Sequence, residues 1–200
     1  MNTLHKLAIA LVLAASACEA PPGPNGEFWR PWYDDPSQTG GVDGSARDGS
    51  QLAGGSCTLS VSVTTAALAG NYAPRNVGAI WVSDGSGRFV KSLYVWGNRR
   101  LSHLNRWISD TTAAGLPSNR VDAITSATLS SFGVRTAQWN CTDVSRTPVP
   151  AGSYQVCFEI TSSTAAGPSD CVPFNAGKGA FHDQPPDTAE FQGRVLQMAP

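Results

Sequence analysis

Charge is scarce in this sequence. Only 14% of its 200 residues are Asp, Glu, Lys or Arg, and the formal net charge is −1. Beyond Arg99-Arg100 there is no cluster of basic residues, so the electrostatic footprint of a nucleic-acid-binding protein is missing. Histidine is scarcer still, with only His5, His103 and His182. No Ser/His/Asp order suggests a catalytic triad, and "DGSGR" lacks the pattern of a nucleophile elbow. Neither a Gly-rich phosphate loop nor a dinucleotide fingerprint occurs. No C-x-x-C pair is present, which with so few histidines argues against a zinc site. These shortages leave no candidate catalytic cluster, and the expectation is a chain without a metal, a resident cofactor or an enzymatic activity.

One apolar run stands out at the start. "LAIALVLAA" is far shorter than the roughly 20 residues a membrane-spanning helix needs. It follows Lys6 and ends in small residues, the layout of a secretory signal over residues 1–17. Cys18 comes directly after "ASA". That placement resembles a bacterial lipobox, in which the mature chain begins with a diacylated cysteine; Ala15 stands where the pattern usually has Leu. An ordinary secretory signal cut near Ala17 or Ala20 is the alternative. Acyl chains anchor by about 0.8 kcal/mol per buried methylene, so Cys18 would tie the protein to a membrane of the bacterial envelope, periplasmic or outer-membrane-facing. Removing residues 1–17 takes away Lys6 and leaves 13 basic against 15 acidic side chains, a net charge of −2.

The remaining cysteines fit an exported protein. Cys57, Cys141, Cys157 and Cys171 are even in number, and outside the cytoplasm this implies disulfides, with three connectivities open. In "SYQVCFEITSSTAAGPSDCVPF" two strand-like runs flank "AAGPS". A hairpin centred near Thr164 sets Cys157 opposite Cys171. By elimination, Cys57 pairs with Cys141.

What the chain has in quantity is turn and strand chemistry, with 20 Gly, 14 Pro, 6 Trp and 7 Phe. Residues 18–56 are rich in Gly, Pro, Ser and Asp and read as a disordered tether. The exception is "FWRPWY", an aromatic knot that reads as local collapse within the tether. From Cys57 the texture changes. "CTLSVSV" alternates apolar and polar residues, as a half-buried strand does. "VGAIWV" and "RFVKSLYVW" are β-branched and aromatic runs joined by "SDGSG", a hairpin signature. In "NRRLSHLNRWISD", Leu101, Leu104, Trp107 and Ile108 fall on one face of a short helix, with His103 on a solvated basic face. "VRTAQWNCTD" is another strand. "SRTPVPAGSYQVCFEIT" is a turn and then a strand with Tyr154, Val156, Phe158 and Ile160 on one face. The segment 169–174 pairs back, and "QPPDTAEFQGRVLQM" ends in a last strand. Asp143 and Asp170 read as turn residues. About seven short strands with one inserted helix predict an all-β fold over residues 57–200: an immunoglobulin-like antiparallel β-sandwich.

The pieces "YAPRNVGAIWVSDGSGRFVKSLYVWG", "RRLSHLNRW", "VDAITSATLSS", "RTAQWNCTD", "VPAGSYQVCFEI" and "PPDTAEFQGRVLQMAP" occur in the same order as in a family of periplasmic bacterial domains, domain-of-unknown-function family 2271. The resemblance covers residues 57–200. It implies a β-sandwich in the cell envelope, with genes often near those of PepSY-type membrane proteins and flavin transferases. It carries no catalytic residues.

"VDAITSATLSS" has a second resemblance, to the Asp-x-x-Ser/Thr-Gly-Ala-Thr motif of flavin-carrier domains. A transferase there joins the phosphate of FMN to the last Thr. Asp122, Thr125 and Thr128 lie on that template, with Thr128 as acceptor and Ser126 in place of Gly. The plainer reading is a turn in which Asp122 and Thr125 bond nearby backbone amides and lead into the next strand. Two functions are therefore expected. The first is a non-enzymatic, lipid-anchored envelope module that binds or scaffolds a protein partner. The alternative is a periplasmic electron carrier with FMN attached to Thr128.

Overall fold

A computed structural model describes residues 57–199. The signal segment 1–17, the tether 18–56, Cys18 and the "FWRPWY" motif lie outside the described residues. The elements in order are β1 (Thr58–Thr65), β2 (Val77–Asp84), β3 (Phe89–Trp96), α1 (Asn105–Ala113), β4 (Ile124–Ser126), β5 (Gly133–Trp139), β6 (Gly152–Thr161), β7 (Ser169–Ala176), β8 (Phe181–Asp183) and β9 (Phe191–Ala199). They form two sheets, ordered β5-β1-β9-β8 and β4-β3-β2-β6-β7.

The order explains why the sandwich is immunoglobulin-like. The strands β3-β2-β6-β7 follow the C′-C-F-G order of that fold, and β1 and β5 stand where B and E pair. The place of the N-terminal strand A is filled by β9, from the opposite end of the chain. Tyr154, near the start of β6, donates its hydroxyl to the carbonyl of Pro150 at 2.7 Å. This is the tyrosine corner of the fold, built at the "PAGSY" turn.

Alternation sets the faces. In β1, Leu59, Val61 and Val63 point into the sandwich while Ser60 and Ser62 stay on its outer face. The core between the sheets gathers Ile80 and Val82 from β2, Phe158 and Ile160 from β6, and Phe191 and Leu196 from β9. The β2 run is buried on both faces, because α1 covers the outside of its sheet. There Trp81, Val95, Leu104 and Trp107 form a second core. A continuous apolar strand is what such double cover demands.

The helix is held by polar anchors as well. The Glu159 carboxylate, 1% exposed on the outward face of β6, accepts the backbone N–H of Trp107 at 2.8 Å and of Arg106 at 3.2 Å. It caps the N-terminus of α1 from a neighbouring strand, where the free N–H groups and the helix dipole favour an anion. Burial pushes the Glu159 carboxyl above its usual range, and the N–H groups of Trp107, Arg106 and Asn105 pull it back. Further along, the indole of Trp107 donates to Ser92 at 2.9 Å and that of Trp81 to Asp110 at 3.1 Å.

Three expectations change. The helix is shorter than its apolar spacing suggests: Leu104, with φ −82° and ψ 74°, separates a 3-10 turn (Arg99–His103) from α1. The sheets are not purely antiparallel, since β4 pairs with β3 in parallel, Tyr94 opposite Ile124 and Trp96 opposite Ser126. Asp170 is not in a turn: it lies in β7, opposite Phe158, and pairs with the buried guanidinium of Arg194 in β9, linking the two sheets. The disulfides join Cys57 to Cys141 and Cys157 to Cys171, and the latter pair sits directly opposite in the β6–β7 ladder.

Candidate functional site

Charge gathers at one edge of the sandwich, on three segments distant in sequence. Lys91 in β3 is only 4% exposed, yet its ammonium reaches Asp122 at 3.3 Å and the hydroxyl of Thr142 at 3.0 Å. Arg146 approaches the same carboxylate side-on, Nε to Oδ2 at 2.9 Å and a terminal nitrogen to Oδ1 at 2.8 Å. This is the two-pronged geometry in which a guanidinium binds a planar carboxylate best. Arg146, and then Lys91, hold the Asp122 carboxyl down at about 2. Two basic side chains thus face one carboxylate.

Local backbone chemistry puts each group there. Asp122 has φ +57° and Arg146 φ +64°, left-handed conformations that tight turns impose and that Asp tolerates better than most residues. The Asp143 carboxylate organises the Arg146 turn by accepting the N–H of Ser145 at 2.8 Å and of Thr147 at 2.9 Å. This is an Asx turn. The Cys57–Cys141 disulfide ties the start of that loop to β1. The Thr142 hydroxyl is oriented by Asn140 at 2.7 Å, and the Thr142 carbonyl accepts the indole N–H of Trp139 at 2.8 Å.

A cleft of about 420 Å³ opens over Lys91, Asp122, Asn140, Thr142 and Arg146. It shares Leu93, Asp122 and Gln138 with a groove of about 600 Å³ that carries Ser60, Ser62, Thr136 and Gln197. Register lines these up across the outer face of the four-stranded sheet. One row is Gln138–Ser60–Gln197 and the next is Thr136–Ser62–Val195. Hydroxyls and carboxamides both donate and accept, so the surface offers hydrogen bonds of both kinds. Among the described residues, no group of three or more His, Cys, Asp or Glu side chains gathers to hold a metal ion.

The "VDAITSATLSS" stretch straddles a short strand, β4. Asp122 precedes β4, Thr125 lies within it, exposed and opposite Val95, and Thr128 follows it, half-buried. The three residues of β4, each rising about 3.3 Å, separate Asp122 from Thr128. Asp122 bonds Lys91 and Arg146 rather than nearby backbone amides, and Ser126 sits in extended backbone with its hydroxyl 3.2 Å from that of Tyr94. Thr128 lines a separate cleft of about 480 Å³ with Arg75, Asn98, Arg99, Arg100 and Ser130. The stretch therefore borders two clefts, one at each end of β4.

Fold and cleft together define an immunoglobulin-like β-sandwich domain with a charged polar cleft at its edge. The chain belongs to a family described as predicted periplasmic protein, domain of unknown function 2271, whose profile matches residues 58–179. The match ends short of β8 and β9. No curated protein and no solved structure matches the chain.

Proposed function

We propose that this protein is a non-enzymatic binding module of the bacterial envelope, anchored through a lipid on Cys18, with the Lys91–Arg146 cleft as its binding site. The single observation that carries this reading is Lys91. Lys91 is 4% exposed, yet its ammonium lines a polar cleft together with Arg146, and the two cations share one carboxylate, Asp122. The family's periplasmic description supports the location. Two experiments test the reading. Intact mass of the mature chain from a bacterial membrane fraction should show a diacylated N-terminal cysteine, lost in Cys18→Ala. Amide shifts of the mature protein against a panel of sugars, organic acids and peptides should map to residues around Lys91 and Thr142. They should disappear in Lys91→Met. Shifts confined to another surface, or turnover of any panel member, would count against it.

A second reading has its own support. The cleft at Thr128 is also lined by Arg75, Arg99 and Arg100, and a basic cleft beside a hydroxyl suits a phosphoester. In that reading Thr128 carries FMN and the protein shuttles electrons. Coexpression with a flavin transferase should then add the mass of FMN less water. No added mass, or an adduct that survives Thr128→Ala, rules this reading out.

A further inference from the structure

We propose that the Lys91–Arg146 pair is a receptor for a carboxylate, that Asp122 occupies it as an internal stand-in, and that the ligand is an acidic sugar lying along the adjoining groove. This inference rests on the reading of the cleft as the binding site and names what it takes.

The receptor is already filled by the group it fits. Arg146 grips both oxygens of the Asp122 carboxylate, at 2.9 and 2.8 Å, and Lys91 adds a contact to Oδ2 at 3.3 Å. An ammonium has three N–H donors. Among the described residues Lys91 has two acceptors, Asp122 and Thr142, which leaves one donor for a ligand. The lysine is fixed in a strand and buried, whereas the carboxylate is not. Asp122 lies in the connection leading into β4, beside the exposed side chains of Val121 and Ile124. A ligand carboxylate placed on Lys91 and Arg146 would keep the cluster's charge balance and let Asp122 turn to solvent.

The groove selects what is attached to that carboxylate. Its floor carries Ser60, Ser62, Thr136, Gln138 and Gln197, and Gln138 also lines the charged cleft. A row of hydroxyls and carboxamides matches a ring bearing several hydroxyl groups, each of which donates and accepts. Leu93, Ile124 and Val195 also line the groove, an apolar wall that suits the C–H face of a sugar ring beside its hydroxyls.

The experiment titrates the mature protein with glucuronate, glucose and acetate, followed by amide shifts and calorimetry. Glucuronate should bind at the cleft, glucose and acetate at least tenfold more weakly. Lys91→Met and Arg146→Gln should each abolish glucuronate binding. Gln138→Ala should weaken glucuronate and leave acetate unchanged. Asp122→Asn should strengthen glucuronate binding severalfold, because it removes the charged competitor that occupies the receptor; Asp122→Ser is the second variant should the Asn form not fold. Weaker binding in both Asp122 variants would overturn the stand-in. Acetate binding as tightly as glucuronate would overturn the sugar, and glucose binding that survives Lys91→Met would overturn the carboxylate while the cleft itself stands. No shift at the cleft with any probe of this set or of the wider panel would remove the cleft reading as well.

Discussion

Glu159→Ala takes from α1 the carboxylate that caps it. The buried N–H of Trp107 loses its acceptor at 2.8 Å, and that of Arg106 loses one at 3.2 Å. An orphaned buried donor costs about 1–3 kcal/mol. The lost anion at a helix N-terminus adds about 1 kcal/mol, and the missing methylenes leave a small void worth roughly another 1 kcal/mol. Relief from keeping a carboxylate dry offsets part of this, so the net loss should be about 2–4 kcal/mol. For a domain of this size the midpoint of thermal unfolding should fall by roughly 6–15 °C. The pH dependence carries a sign. Burial raises the Glu159 pKa above its ordinary 4.5, so its stabilising contribution is complete below pH 4.5 and declines as pH rises through the raised folded value. The difference between wild type and Glu159→Ala should therefore be largest near pH 4.5 and shrink toward neutrality. Asp110 is raised too, but it is present in both proteins and cancels. Calorimetry of the pair across pH measures this directly. An unchanged midpoint, or a difference that widens with pH, would refute the argument.

Other perturbations follow the same logic. The Cys57–Cys141 disulfide spans 84 residues and Cys157–Cys171 only 14; on chain entropy alone, removing the first should cost about 4–5 kcal/mol and the second about 3 kcal/mol, read by urea unfolding of the paired Ser variants. Losing the first should also weaken any ligand at the charged cleft, because it ties down the loop that bears Thr142 and Arg146. Asp122 is held at about 2, below its ordinary 3.8, so its contribution is present above pH 3.8 and lost as pH falls toward 2; Asp122→Asn should flatten that part of the acid-unfolding curve. Tyr154→Phe should lose the hydroxyl bond to Pro150 and about 1 kcal/mol, seen as a lower midpoint in urea. Gly78→Ala should unfold the domain or cost more than about 2 kcal/mol, because a Cβ there would overlap the Trp96 ring and come within 2.6 Å of the Glu159 carbonyl oxygen; circular dichroism of the variant settles it.

Local rules carry most of the fold. Period-two alternation in "CTLSVSV" marks β1, "SDGSG" marks the β2–β3 hairpin, and the "AAGPS" turn sets β6 against β7 with Cys157 opposite Cys171. The parts that stay hidden depend on distant partners. β4 is three residues long and exists because β3 offers a free edge. Glu159 reads as one more strand residue until α1 arrives above it. The charged cluster is the clearest case: Lys91, Asp122 and Arg146 come from three segments with no common spacing, and only the packing of β3, the Asp122 turn and the Cys141–Arg146 loop brings them together. Asp122 does stand out in the sequence, though as part of a motif whose ends the strand then pulls apart. Arg146 has no signal beyond its turn.

The account stands or falls on where the Asp122 carboxylate goes when the cleft is occupied. A crystal structure of the mature protein with glucuronate tests this most directly. The prediction is a sugar carboxylate on Lys91 Nζ and the Arg146 guanidinium, hydroxyls against Gln138 and Ser60, and Asp122 turned out to solvent. A bound sugar elsewhere, with the Asp122–Arg146 pair intact, would contradict it.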